Sequence, residues 1–183
     1  LIDVILEQPL GQRFIELALA ETDRRVREDR GVSPGFLFAT LLWHEVLATW
    51  KAARAGGGKA IPALFEAMDA VLGEQAKKIA IPRRFEATIK EIWSLQPRFE
   101  QRAGGRPLRL LEHPGFRAGW DFLDLRCQSG ELEGELAGLA EWWDRFANAG
   151  TDERAAMLKP DEGPKPRSRG RGRGRKRHAD GEV

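Results

Sequence analysis

The feature that most narrows the fold is an apolar period of three to four residues that recurs along most of the chain, with almost no two-residue alternation beside it. Residues 61–79 place Ile61, Leu64, Phe65, Met68, Leu72, Ala76 and Ile79 on one helical face. Residues 83–100 do the same with Phe85, Ile89, Ile92, Trp93, Gln96 and Phe99. Residues 131–148 repeat it with Leu132, Leu136, Leu139, Trp143 and Phe146. Tyr is absent, β-branched residues are sparse and helix formers dominate, so strands have little support. The expectation is an all-α body of six to seven packed helices.

Punctuation residues divide that body. A first helix covers about 11–29 and stops near Gly31. A second begins with Ser33 as N-cap and Pro34 in the first turn. Its run Phe36-Leu37-Phe38-Ala39-Thr40-Leu41-Leu42-Trp43 is apolar almost all round, which marks a central buried helix. Gly56-Gly57-Gly58 ends that region, and Pro82 restarts the chain for the helix at 83–100, where Pro97 is a kink or an end. After Gly104-Gly105 a short helix reaches His113, and Pro114 opens another that carries Phe116, Trp120, Leu123 and Cys127 on one face. Ser129-Gly130 separates it from the segment at 131–148, and a short helix follows Thr151. The body is assigned to residues 1–158, with subdomains at 1–80 and 81–158.

Charge is segregated. The chain has 30 Lys and Arg against 28 Asp and Glu, a net of +2. Residues 77–117 hold 10 basic and 4 acidic side chains, whereas 118–158 hold 3 and 9. On the helix at 83–100, Arg83, Arg84, Lys90 and Arg98 fall opposite the apolar stripe, as solvent-facing cations with Glu91 among them. From Lys159 the composition turns to Pro, Gly and Arg, and residues 165–177 carry 8 basic side chains and no acid. Such a segment cannot form a core, so residues 159–183 are expected to be a disordered basic tail. A basic middle and a basic tail on an otherwise acidic chain point to a polyanion partner.

Catalytic patterns are scarce. A single cysteine, Cys127, excludes an internal disulfide and a cysteine-cluster zinc site. No apolar run approaches the ~20 residues of a membrane span, and no leader-like segment opens the chain, so the expected setting is soluble and cytoplasmic. His44 sits in an apolar helix as a core residue, and His113 precedes Pro114 in a turn or capping role. Asp121 with Asp124, and Glu131 with Glu135, are spaced one turn apart and read as solvated helix faces rather than metal ligands. Trp43, Trp93, Trp120 and Trp143 fall on apolar stripes, leaving Trp50 and Trp142 as the freer rings.

Three segments carry a specific resemblance. They are Val32-Ser33-Pro34-Gly35-Phe36-Leu37-Phe38-Ala39-Thr40-Leu41-Leu42-Trp43, then Ile79-Ala80-Ile81-Pro82-Arg83-Arg84-Phe85 with Ile92-Trp93-Ser94-Leu95-Gln96, then Leu110 through Arg126 with its His113-Pro114-Gly115-Phe116 junction. In order and spacing, with an arginine-rich end behind them, they resemble the C-terminal half of the bacterial poly(A) polymerase I family of class II nucleotidyltransferases. The resemblance spans about residues 1–177. It implies a helical body that holds RNA beside a separate catalytic head, and a head that adds AMP from ATP to RNA 3′ ends with magnesium, feeding RNA decay. It further implies an RNA helicase and other RNA-decay proteins as partners. The family head uses a Gly-Ser dipeptide and an Asp-x-Asp pair, and neither occurs in this sequence. No catalytic residue, metal ligand or cofactor is therefore assigned to this chain, and its Leu1 start is taken as that of a piece lacking the head.

The RNA contacts are assigned from charge instead. Arg83, Arg84, Lys90 and Arg98 would line a phosphate track that Arg102, Arg106 and Arg109 extend. Arg167, Arg169, Arg171, Arg173, Arg175, Lys176 and Arg177 would act as a sequence-blind capture arm. The alternatives are a stand-alone, non-catalytic RNA-binding or decay-complex module, the related tRNA 3′-end nucleotidyltransferases, and a helical scaffold whose tail meets acidic protein or lipid.

Overall fold

The computed structural model describes residues 9–78 and 81–158. The tail expectations, including its seven basic residues, lie outside the described residues, as does the placement of Ile79. Among the described residues the fold is all-α, with eight α-helices and one short 3-10 turn. They are α1 (Pro9–Arg27), α2 (Pro34–Ala55), α3 (Ala60–Gln75), α4 (Arg83–Phe99), α5 (Arg106–Leu111), α6 (Phe116–Ser129), a 3-10 turn (Gly134–Leu136), α7 (Leu139–Asn148) and α8 (Thr151–Met157).

Helix α2 is central, as its all-round apolarity demands. It packs on α1, α3 and α4. Ser33 caps its start, where the Phe36 N–H donates to the Ser33 hydroxyl, and Pro34 occupies the first turn. Helices α4 and α6 pack on each other and join two buried clusters. One cluster gathers Phe14, Trp43, Val46, Met68, Ile89, Trp93 and Phe122. The other gathers Leu95, Phe99, Leu110, Leu123, Leu139, Trp143 and Phe146. Pro97 stands inside α4, close to its end, rather than terminating it.

Two expected faces differ. In α3 the buried side is Ala63, Leu64, Ala67, Met68, Val71, Leu72 and Gln75, while Ile61 and Phe65 are 42% and 47% exposed. Small residues at 63 and 67 let α3 lie close to α2, and Trp50 closes the join by donating its indole N–H to the Ala60 carbonyl at 2.7 Å. Trp50 is thus a core residue and not a free ring. The continuous helix expected at 131–148 is also broken. Gly134 takes a φ of +60°, open mainly to glycine, and α7 starts only at Leu139.

The break has a cause in Glu131. Its carboxylate turns inward to meet Arg126 at 2.8 Å, with side chains only 6% and 5% exposed. The same carboxylate accepts from the Trp43 indole N–H at 2.7 Å. Arg126 also donates to the Gln96 side-chain oxygen at 3.2 Å, and Gln96 donates to the Ile92 and Gly119 carbonyls. The reading of Glu131 as a solvated helix-face residue is therefore wrong. It is the buried counter-ion of an arginine at the junction of the two clusters.

Candidate nucleic-acid interface

The cations assigned from sequence lie on α4, α5 and the turn between them, but they do not form one uniform track. Arg83 and Arg84 are exposed in the first turn of α4. The Arg84 guanidinium lies 4.7 Å from the Phe85 ring centre. Arg98 is fifteen residues further on, about 22 Å along the axis at the usual helical rise. Between them Lys90 is half-buried and pairs with Asp69 at 2.7 Å, so its charge is met by a neighbour on α3. Arg102 is also held, 3.7 Å from Glu135 and 5.8 Å from the Trp142 ring centre. Trp142 in turn stacks on Phe146 at 4.9 Å.

The remaining three converge. Arg98, Arg106 and Arg109, with Gln101 and buried Leu110, line a cleft of about 210 Å3. Local sequence builds it in three steps. The end of α4 is fixed where the Trp143 indole N–H donates to the Phe99 carbonyl at 2.8 Å. Gly104, at a φ of +60°, turns the chain back. Pro107 and Leu110 are buried and seat α5, which leaves Arg106 and Arg109 one turn apart on its outer side. Among the described residues none of the three guanidinia has a carboxylate partner. Gln101 was not singled out from sequence, since nothing in its local pattern distinguishes it from any other polar turn residue.

A larger cavity of about 690 Å3 lies between α1, the start of α2 and α6. Its arginines are already neutralised. Arg25 donates to Glu21 and to Asp121, and Asp121 also pairs with Arg117 at 3.0 Å. Arg24, bonded to Glu21, holds that carboxyl near a pKa of about 2. Burial pushes the Asp124 carboxyl upward, against one hydrogen bond from Gln128. The larger cavity therefore offers no unpaired positive charge among the described residues, whereas the smaller cleft does.

His44 is buried against Phe14, neither ring nitrogen has a hydrogen-bond partner among the described residues, and burial holds its pKa below the ordinary value. It is a packed residue rather than a base. The His113 ring accepts from the Gly115 N–H at 3.0 Å, the turn role its place before Pro114 suggested. No cluster of three or more His, Cys, Asp or Glu suited to a metal occurs among the described residues. Half-buried Asp121 and buried Glu131 are held by arginines, so neither carboxylate is left as a ligand that fits magnesium. Among the described residues no helix is long and apolar enough to cross a membrane.

Among the described residues, fold and site together define an all-helical module with a cleft of arginines that no described carboxylate pairs. Residues 56–178 match the family model described as the polymerase A arginine-rich C-terminus, and the chain belongs to that family. It is 42% identical over 157 residues to poly(A) polymerase I of Escherichia coli O6:H1, covering 85% of this chain and 34% of that protein. The Salmonella typhi enzyme of the same name is 41% identical over 157 residues, with the same coverage. The Haemophilus influenzae one is 35% identical over 164 residues, covering 87% and 36%. The chain thus spans about a third of the length of the curated relatives it matches.

Proposed function

We propose that this chain is the RNA-holding C-terminal portion of a poly(A) polymerase, an enzyme that adds AMP from ATP to RNA 3′ ends. The observation that carries this is the convergence of Arg98, Arg106 and Arg109 on one cleft with no described carboxylate lining it, in a chain of this family. Exposed Arg83 and Arg84 supply a second positive patch at the far end of α4. The arginines at 167, 169, 171, 173 and 175, with Lys176 and Arg177, serve as a capture arm that raises the local concentration of RNA at the body. Guanidinium forks match phosphate oxygens, so binding is dominated by the backbone and tolerant of base sequence. ATP and magnesium belong to the catalytic head of the longer enzyme. In the cytoplasm, an RNA helicase and other decay proteins are the partners this reading favours.

The test pairs binding with chemistry. Fluorescence anisotropy with a labelled single-stranded RNA should show binding that unlabelled RNA displaces far better than anionic vesicles do. Radiolabelled ATP and magnesium with this chain alone should leave the RNA length unchanged. Preference for vesicles would favour the scaffold reading, and robust extension would place an active site inside this chain.

A further inference from the structure

The cleft beside Gly104 has the makings of a discrete site and not only of a basic surface. Three guanidinia face one concavity, each offering a planar fork of N–H donors. Like charges lining one cleft repel, and that repulsion is relieved when an anion enters. Arg98 is half-buried, and α5 is seated by buried Pro107 and Leu110, so the fold fixes the backbone from which the exposed Arg106 and Arg109 side chains reach the cleft. No aromatic ring lines the cleft to read a base; besides the arginines it is lined by Gln101 and Leu110. By contrast, Arg24, Arg25 and Arg117 at the larger cavity already bind carboxylates.

We propose that Arg98, Arg106 and Arg109 form an oxyanion site that grips one backbone phosphate of a bound RNA and so fixes one nucleotide on the body. Nucleotides on either side are held by diffuse charge. This deepens, and rests on, the RNA-binding reading above.

The test compares the full chain with R98A/R106A/R109A and with R83A/R84A. Two signals are read: anisotropy with a labelled single-stranded RNA across a salt series, and thermal unfolding with and without inorganic tripolyphosphate. The triple variant should bind RNA roughly tenfold more weakly, with a log–log salt slope shallower by about 0.7, the value for one phosphate on a single strand. Tripolyphosphate should raise the Tm of the full chain and of R83A/R84A but not of the triple variant. Without anion R106A/R109A, which removes only exposed side chains, should melt no lower than the parent, and it serves as a milder substitute should the triple variant, which also truncates half-buried Arg98, fold poorly. RNA bound equally well and with the same slope by parent and variant would overturn the cleft while leaving the RNA reading in place. A parent that ignores RNA, yet gains stability from tripolyphosphate only when the three arginines are present, would overturn the RNA reading and keep an oxyanion site.

Discussion

Arg126 is the residue on which the interior turns. It is 4% exposed, bonded to Glu131 and Gln96, and lies 4.9 Å from the Trp43 ring centre. Removing one partner of a buried pair leaves an uncompensated charge, which costs far more than the pair itself contributes. R126A should therefore lose about 3–5 kcal/mol in urea denaturation, and a midpoint equal to that of the parent would contradict the network. His44 gives a pH signature. Its folded pKa lies below the unfolded value of roughly 6.5, so the unfolded chain binds the proton first. The stability tied to neutral His44 is present above that value and is lost as pH falls through and below it. Urea midpoints should drop from pH 7 to pH 5, and the drop should be smaller in H44F; equal drops would remove His44 from the account.

Helices meet where sequence patterns say little about distance. Gly119 on α6 faces α4 so closely that an added Cβ would lie 3.0 Å from a Leu95 methyl and 3.1 Å from the Phe99 ring. Phe99 is fully buried and wedged against Phe116 and Trp143, so it cannot withdraw. G119A should cost about 1–3 kcal/mol by overpacking, read by thermal or chemical unfolding, and a neutral result would mean the α4–α6 contact is looser than described. The elements themselves were legible because Ser33, Pro34, Pro82 and Gly130 punctuate a strong helical period, and Gly130 does close α6 at a φ of +81°. The face of α3 was not legible, because Ala63 and Ala67 are weakly apolar and their value lies in letting α2 come near. Glu131 was not legible either. Its partner Arg126 sits across a turn that a helical reading of 131–148 erased. The layout of charge at the candidate site was half legible: periodicity placed the cations outside the core, but only the fold shows Asp69 pairing with Lys90 and Glu135 with Arg102.

At the scale of the whole molecule, charge separates from packing. Two clusters share α4 and α6, and the same α4 carries cations on its outer side, so one helix both joins the cores and presents positive charge. Deleting residues 159–183 should leave thermal stability nearly unchanged, since the helices close around residues 9–158, while RNA affinity falls; a large loss of stability would mean that the deleted residues pack on the body. The most direct measurement is the salt dependence of RNA affinity for the full chain. With about five phosphates neutralised on a single strand, affinity should fall on the order of a hundredfold between 50 and 200 mM salt. Affinity that stays flat across that range would show that arginine–phosphate contacts do not hold the RNA, and would contradict the account at its centre.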